Sequence, residues 1–246
     1  MPALPGRPSG LACSCRNMTA FDLIIFDFDG TIVDSASGIA QCMAAAFDRH
    51  RLPPPLPSDV RARIGLTLEE SIRQLTDGLS ETEVAALARQ YRELHASVAA
   101  PAIALFPGAV ETLAALVPDH RLVVVSQKAR RGLLQLMGQL DIERYFDLVL
   151  GSDDVTALKP EAALFERHVA PRYPHVARDR VLVVGDTATD LQFAANIGAS
   201  GCWAEYGYGD ARRCRALSPV YTVADITDVT SVCAISPAGP RHASRP

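Results

Sequence analysis

The sequence predicts an α/β protein, a doubly wound parallel sheet with an all-helical block inserted after its first strand. Three observations predict it. Residues 23–28 (LIIFDF) form a short apolar run, as a strand buried on both faces requires. Residues 36–100 carry only helical periodicity. Beyond them, apolar runs of strand length alternate with helical stretches, the pattern that builds a parallel sheet covered by helices.

The elements follow in order. Residues 1–17 are rich in Pro, Gly, Arg and Ser and have little to bury, so they read as a disordered leader, with Met18 as the native start. After the first strand, Ile39, Met43, Ala46, Phe47 and His50 keep helical spacing, with Ser35 or Ser37 as N-cap. Pro53-Pro54-Pro55 stops that helix. Two shorter helical stretches fall at 58–64 and 67–75. Ser80-x-x-Glu83 is a capping-box pattern opening a long amphipathic helix, whose apolar stripe runs through Val84, Leu87, Ala88, Tyr91, Leu94 and Val98. Strands are expected at 121–126, 148–151, 181–185 and 200–204, separated by helices near 109–117, 129–140, 161–170 and 188–198. This assigns 18–35 and 101–235 to the α/β core, 36–100 to a helical cap and 236–246 to a disordered tail.

Composition narrows the function. The 246 residues are 48% hydrophobic and 21% charged, which suits one α/β domain with a sizeable insertion. A net charge of −4 leaves no broad basic field for nucleic acid or an anionic membrane. No apolar run is long enough to span a bilayer. Pro2, Pro5 and Pro8 stand where a secretory signal would place its apolar stretch. The six cysteines (13, 15, 42, 202, 214 and 233) form no CxxC pair and read as reduced thiols of a cytoplasmic protein.

Open parallel sheets carry their sites beyond the carboxyl ends of the strands. Those ends hold Asp27-Phe28-Asp29-Gly30-Thr31, Ser126-Gln127-Lys128 and Gly185-Asp186-Thr187-Ala188-Thr189-Asp190, with Lys159-Pro160 following the third strand of this sheet. In Asp27-x-Asp29 the two carboxylates start on the same side of a strand. Gly30 permits a sharp turn and a close backbone approach. Asp27 can then attack an electrophile while Asp29 handles the proton of the leaving group. Four ionised aspartates and Lys159 cannot also receive a phosphate monoester without a further cation. A hard divalent ion with oxygen ligands, Mg²⁺, answers that requirement.

DFDGT at 27–31, Ser126, Lys159 and GDTATD at 185–190 resemble the four motifs of the haloacid dehalogenase superfamily, across residues 21–229. VDS at 33–35, FPGAVETLAAL at 106–116, AANIGA at 194–199 and Tyr206-Gly207-Tyr208-Gly209 resemble its phosphoglycolate phosphatase-like branch. The resemblance implies a Rossmann-like core with a C1-type helical cap. It implies Asp27 as nucleophile through an aspartyl-phosphate, Asp29 as general acid and then base, and Lys159 as the partner of the transferring phosphoryl group. Thr31, Ser126, Gln127 and Lys159 make the implied phosphate-binding set. Mg²⁺ would be held by Asp27, the backbone carbonyl of Asp29, Asp186, and Asp190 directly or through water. Gln127 departs from the Asn common at its position, and Lys128 adds a second cation near the rim. Dehalogenation needs no acid for an alcohol leaving group, so Asp29 within DGT favours phosphate ester hydrolysis.

The expected activity is Mg²⁺-dependent hydrolysis of a small phosphorylated metabolite, phosphoglycolate-like or a sugar phosphate, by a monomer or homodimer. β-Phosphoglucomutase-like phosphoryl transfer and a phosphoacceptor signalling module are the alternatives. Arg61, Arg63 and the turn Gly65-Leu66-Thr67 are the cap residues expected to face the site. Arg212-Arg213-Cys214-Arg215 reads as a solvated loop, and none of the six histidines falls in a motif.

Overall fold

The computed structural model describes residues 20–234, so the expected leader, the Met18 start and the tail from 236 lie outside the described residues. The strands are β1 (Leu23–Phe26), β2 (Val33–Asp34), β3 (Ala104–Leu105), β4 (Arg121–Val125), β5 (Leu148–Leu150), β6 (Val181–Gly185), β7 (Ser200–Ala204) and β8 (Tyr221–Val223). Six of them form one sheet in the order β5-β4-β1-β6-β7-β8, with every neighbouring pair parallel. From β1 the chain moves outward through β4 and β5, then returns to the other side of β1 through β6. The strand order therefore reverses at β1 and β6, where such sheets open a crevice at their carboxyl ends.

Alternation along the strands splits the interior into two layers. Ile24 and Phe26 of β1 pack with Leu122, Val124, Leu182 and Val184 on one face. Leu23 and Ile25 pack with Val123, Val125, Val181 and Val183 on the other. The first layer continues without a break into α1 (Ala36–Arg49), α2 (Pro57–Arg61), α3 (Leu68–Leu75) and α4 (Glu81–Val98), through Met43, Phe47, Ile72 and Leu87. These four helices lie between β2 and β3, whose short antiparallel pairing brings Val33 opposite Leu105 and Asp34 opposite Ala104. The remaining helices are α5 (Ala109–Leu116), α6 (Arg130–Gln139), α7 (Ala162–Leu164), α8 (Ala188–Asn196), α9 (Ala211–Ala216) and α10 (Asp228–Ala234). No described helix is long and apolar enough to cross a membrane.

Several local expectations change. β1 stops at Phe26 and β4 at Val125, so Asp27 and Ser126 leave the strands and start the rim loops. Ser35 stands at the N-cap of α1, but its hydroxyl makes no cap bond. The cap comes from a distant residue: the amides of Ser35 and Ala36 donate to the Tyr208 hydroxyl oxygen at 2.7 and 3.1 Å, and that hydroxyl donates to Asp34 at 2.7 Å. The helix expected at 161–170 is α7 followed by a π turn (Phe165–Val169) and a 3₁₀ turn (Ala170–Arg172). Pro171 has no amide to continue an α-helical ladder there. The arginine cluster at 212–215 is a correction: it lies on α9 and not in a loop. Asp210 caps that helix by accepting from the Arg213 amide at 2.8 Å, and Cys214 is buried beside Trp203 and Leu191 while the arginines stay in solvent. β2, β3, β8, α9 and α10 are short elements that hydropathy did not mark.

Candidate active site

The sheet delivers the site from three strand ends. The Asp27 amide donates to the Val184 carbonyl at 2.9 Å, which continues the β1–β6 ladder one residue past β1 and carries Asp27 to the rim. The chain then turns tightly. The Phe28 carbonyl accepts from the amides of Ile32 and Val33 at 2.9 and 3.1 Å, and Gly30 takes a φ of 85°. A Cβ on Gly30 would stand 2.5 Å from an Asp186 oxygen, so the turn needs glycine for both conformation and space. Gly207 packs as closely: a Cβ there would overlap the Asp186 side chain.

Beneath the rim the charges interlock. The Lys159 ammonium donates to Asp27 Oδ1 at 2.7 Å and to Asp190 Oδ1 at 2.6 Å. The other Asp190 oxygen accepts from the Thr187 amide at 3.1 Å and the Thr187 hydroxyl at 2.6 Å, a capping box that starts α8. Asp186 accepts from the Thr31 hydroxyl at 3.2 Å on one oxygen and from the Tyr208 amide at 2.7 Å on the other. Its backbone carbonyl accepts from the Trp203 indole at 3.1 Å. Carboxylate oxygens of Asp27, Asp186 and Asp190 all lie within 4.8 Å of one another, and all three residues are buried.

The acidic cluster is electrostatically strained. Burial lifts the Asp27 carboxyl to about 7 against the pull of Lys159, with the charges of Asp190 and Asp29 adding to the rise. Burial also raises Asp186 well above the usual carboxylate range, and the carboxylates of Asp27 and Asp190 push it further. Burial alone would depress the Lys159 ammonium, but Asp190 and Asp27 outweigh it and hold it above its ordinary value. A hard divalent cation beside Asp27 and Asp186 would relieve this repulsion, so the donor set fits Mg²⁺.

Asp29 stands apart from that layer. One of its oxygens pairs with the Lys128 ammonium at 3.1 Å. The other is buried and has no hydrogen-bond partner. Asp29 and Asp27 face a cavity of about 420 Å³ between rim and cap, which Ser126, Gln127 and Lys128 also line. Ser126 Oγ accepts from the Lys128 amide at 3.2 Å, and the Gln127 amide group donates to the Lys159 backbone carbonyl at 3.2 Å. Gln127 thereby ties the loop carrying Lys159 to the rim.

The expected residues thus fall into two shells. Asp27, Asp29, Ser126, Gln127 and Lys128 line the cavity. Thr31, Lys159, Asp186 and Asp190 support it from behind, and the Thr31 hydroxyl is directed to Asp186. Among the cap candidates, Gly65 and Leu66 line the cavity, while Thr67 caps α3 by accepting from the Glu70 amide. Arg63 also borders the cavity, but it donates to the carbonyls of Asp59 and Gln74 at 2.8 and 3.1 Å. Arg61 does not line it: its guanidinium lies over the Tyr208 ring, 4.8 Å from the centroid, and donates to the Gly207 carbonyl at 3.1 Å. Tyr208, whose amide donates to the Asp186 carboxylate, and Trp203, whose indole donates to the Asp186 carbonyl, are site residues that no sequence motif marks for that role. The Tyr-Gly-Tyr-Gly spacing was visible, but its contact with Asp186 depends on the fold. Tyr91 belongs to the apolar stripe of α4 in the sequence, yet it lines the cavity together with His95.

Residues 24–204 match the family described as haloacid dehalogenase-like hydrolase. A "probable phosphatase IndB" of Dickeya dadantii is 31% identical over 218 residues, covering 84% of this chain and 91% of that protein. A phosphoglycolate phosphatase of Caulobacter vibrioides is 30% identical over 192 residues, covering 75% of this chain and 79% of that one. Among solved structures, a predicted phosphoglycolate phosphatase from Haemophilus somnus 129pt superposes with a TM-score of 0.81 at 25% identity, covering 87% of this chain and 99% of its own.

Proposed function

Since the chain belongs to the haloacid dehalogenase-like hydrolases, as a phosphoric monoester hydrolase resembling phosphoglycolate phosphatases, we propose that it hydrolyses a small phosphorylated metabolite with Mg²⁺ through an aspartyl-phosphate on Asp27. The observation that carries this reading is the separation of the two carboxylates at the rim. Asp27 is locked to Lys159 within the acidic layer, whereas Asp29 keeps an unpartnered oxygen beside the cavity.

In the first step the Asp27 carboxylate attacks phosphorus, the bond to the ester oxygen breaks, and Asp29 gives that oxygen its proton. In the second, Asp29 takes a proton from water, whose oxygen attacks phosphorus and releases Asp27 and inorganic phosphate. Lys159 holds Asp27 in place and offsets charge on the transferring group. Asp190 keeps Lys159 oriented, since one of its oxygens is on Lys159 and the other on Thr187. Ser126 offers a hydroxyl to the phosphoryl oxygens. Asp27 and Asp186 would hold Mg²⁺ with the Asp29 carbonyl, and the ion would neutralise charge on the phosphoryl oxygens. The substrate is phosphoglycolate-like or a sugar phosphate. The free, buried thiols of Cys42, Cys202, Cys214 and Cys233 support work in the cytoplasm.

The test is p-nitrophenyl phosphate hydrolysis by the wild type and Asp27→Asn, with Mg²⁺ and with EDTA. Turnover that needs Mg²⁺ and vanishes in Asp27→Asn is expected; turnover surviving Asp27→Asn would reject the covalent route.

A further inference from the structure

Away from the rim, the cavity runs between one cap helix and one core helix. On α4, Arg89, Glu93 and Ala96 line it from one helix face, at spacings of four and three residues. On α6, Arg131, Gly132 and Gln135 line it from another. The two helices pack against each other, so these faces border one cleft, the first from the cap and the second from the core. The small residues Ala96 and Gly132 leave room in it. A Cβ on Gly132 would meet nothing nearer than the Lys128 side chain at 4.0 Å.

Most charged groups along the cavity are already engaged. Lys128 pairs with Asp29 at 3.1 Å, Arg92 pairs with Glu69 at 2.6 Å, and Arg63 donates to two backbone carbonyls. The Glu93 carboxylate accepts from the Gln90 amide group at 3.1 Å. Arg89 and Arg131 are different. Their guanidinium groups make no ion pair and no hydrogen bond with a described residue. Both residues are exposed, so an incoming anion recruits them without breaking an internal pair.

We propose that Arg89 of the cap and Arg131 of the core clamp a second anionic group on the leaving group, a carboxylate or a phosphate, and that the substrate is a doubly anionic ester larger than phosphoglycolate. The inference rests on the phosphatase reading above and chooses among its substrates. A guanidinium is a planar fork of donors that matches either anion. An anion that engages both arginines gains two such partners, which outweighs the single charge of Glu93 on the same face. Lys128 at the rim is neutralised by Asp29, so the free cations begin beyond it. The cavity of about 420 Å³ lies within the range of about 300–1,000 Å³ that holds drug-sized ligands, and a two-carbon alcohol leaves most of it unfilled. Since the arginines come from opposite sides of the cleft, an anion between them also holds cap and core together while the phosphoryl group reacts.

The test uses pairs of esters that differ only in the second anion. Asp27→Asn, which cannot form the aspartyl-phosphate, is titrated calorimetrically with Mg²⁺ present. One pair is 3-phosphoglycerate and glycerol 3-phosphate, and the other is fructose 1,6-bisphosphate and fructose 6-phosphate. The doubly anionic member of at least one pair should bind about tenfold tighter or more. A preference in the first pair assigns a carboxylate to the clamp, and one in the second assigns a phosphate. Phosphoglycolate should bind more weakly than the preferred ester. Adding Arg89→Gln or Arg131→Gln should weaken that ester by about tenfold each, the loss of a charge-assisted hydrogen bond, and its singly anionic counterpart at least fivefold less. Both positions are exposed, so neither change disturbs the core. Equal affinities within both pairs would overturn the proposal. So would equal losses for both members, tighter binding of phosphoglycolate, or no binding of either doubly anionic ester. Hydrolysis of p-nitrophenyl phosphate by the wild type is followed separately, so a failure of the phosphatase reading is seen on its own.

Discussion

The rim and the cap wall of one cavity are organised on opposite principles. At the rim, the charged groups are already paired: Lys159 with Asp27 and Asp190, Asp186 with Thr31 and Tyr208, Lys128 with Asp29. On the cap wall, both ring nitrogens of His95 are buried without a partner among the described residues. Groups that must act on phosphorus gain from being held in place before the substrate arrives, because reorganisation then adds little to the barrier. The cap wall is a mixed surface, where Met43, Ile64 and Leu66 stand beside Arg63, Ser71, Arg89 and Glu93.

The contrast can be broken first at its strongest point. Asp27→Asn should lower kcat by about 10⁴-fold or more while circular dichroism and melting stay near wild type. A loss below tenfold would mean that the paired rim is structural. Asp29→Asn should cost about 10²–10⁴-fold on an alkyl phosphate. The loss should be at least tenfold smaller on p-nitrophenyl phosphate, whose leaving group needs no proton; equal losses would remove the acid role.

Metal comes next. At 100 times its Kd, Mg²⁺ should stabilise the protein by about 2.7 kcal/mol, which is about 5–10 °C in Tm for a chain of this size. Asp186→Asn should abolish the shift in a thermal melt. An undiminished shift in that variant would place the ion elsewhere. Gly207→Ala forces a methyl against Asp186 and should cost about 1–3 kcal/mol, read by urea unfolding, with a larger fractional loss of Mg²⁺ response than of stability. The smallest effect belongs to the base of the cap. Arg61→Ala removes an exposed contact with Tyr208 and should cost about 0.5–1 kcal/mol with kcat nearly unchanged. A large loss of kcat would show that Arg61 reaches the substrate.

How much was legible follows the same division. The sheet strands of four or five residues and the helical insertion are written in hydropathy because each buries a whole face. Asp27, Asp29, Lys159, Asp186 and Asp190 were legible because strand ends in a parallel sheet converge on one edge. The cap to α1 was not, because the Tyr208 hydroxyl replaces Ser35 from a distant part of the chain. The edge strand β8 is three residues long with only Val223 buried, too weak a pattern to read. Tyr91 and His95 carry no motif. Their place on the cavity wall, and the His95 ring nitrogens buried without a partner among the described residues, follow from the fold alone.

The narrow antiparallel pairing of β2 with β3 makes the cap an exchangeable part. Its two ends cross into the core side by side, at Asp34 and Ala104. Opposed residues in such a ribbon stand about 4.5–5.5 Å apart, so any insertion with neighbouring ends can be spliced there without touching the six-strand ladder. The restriction is the shared interior: a replacement must bring its own counterparts of Met43, Phe47, Ile72 and Leu87, which complete the apolar layer above β1. A grafted cap that meets this condition would give the same engine a different appetite.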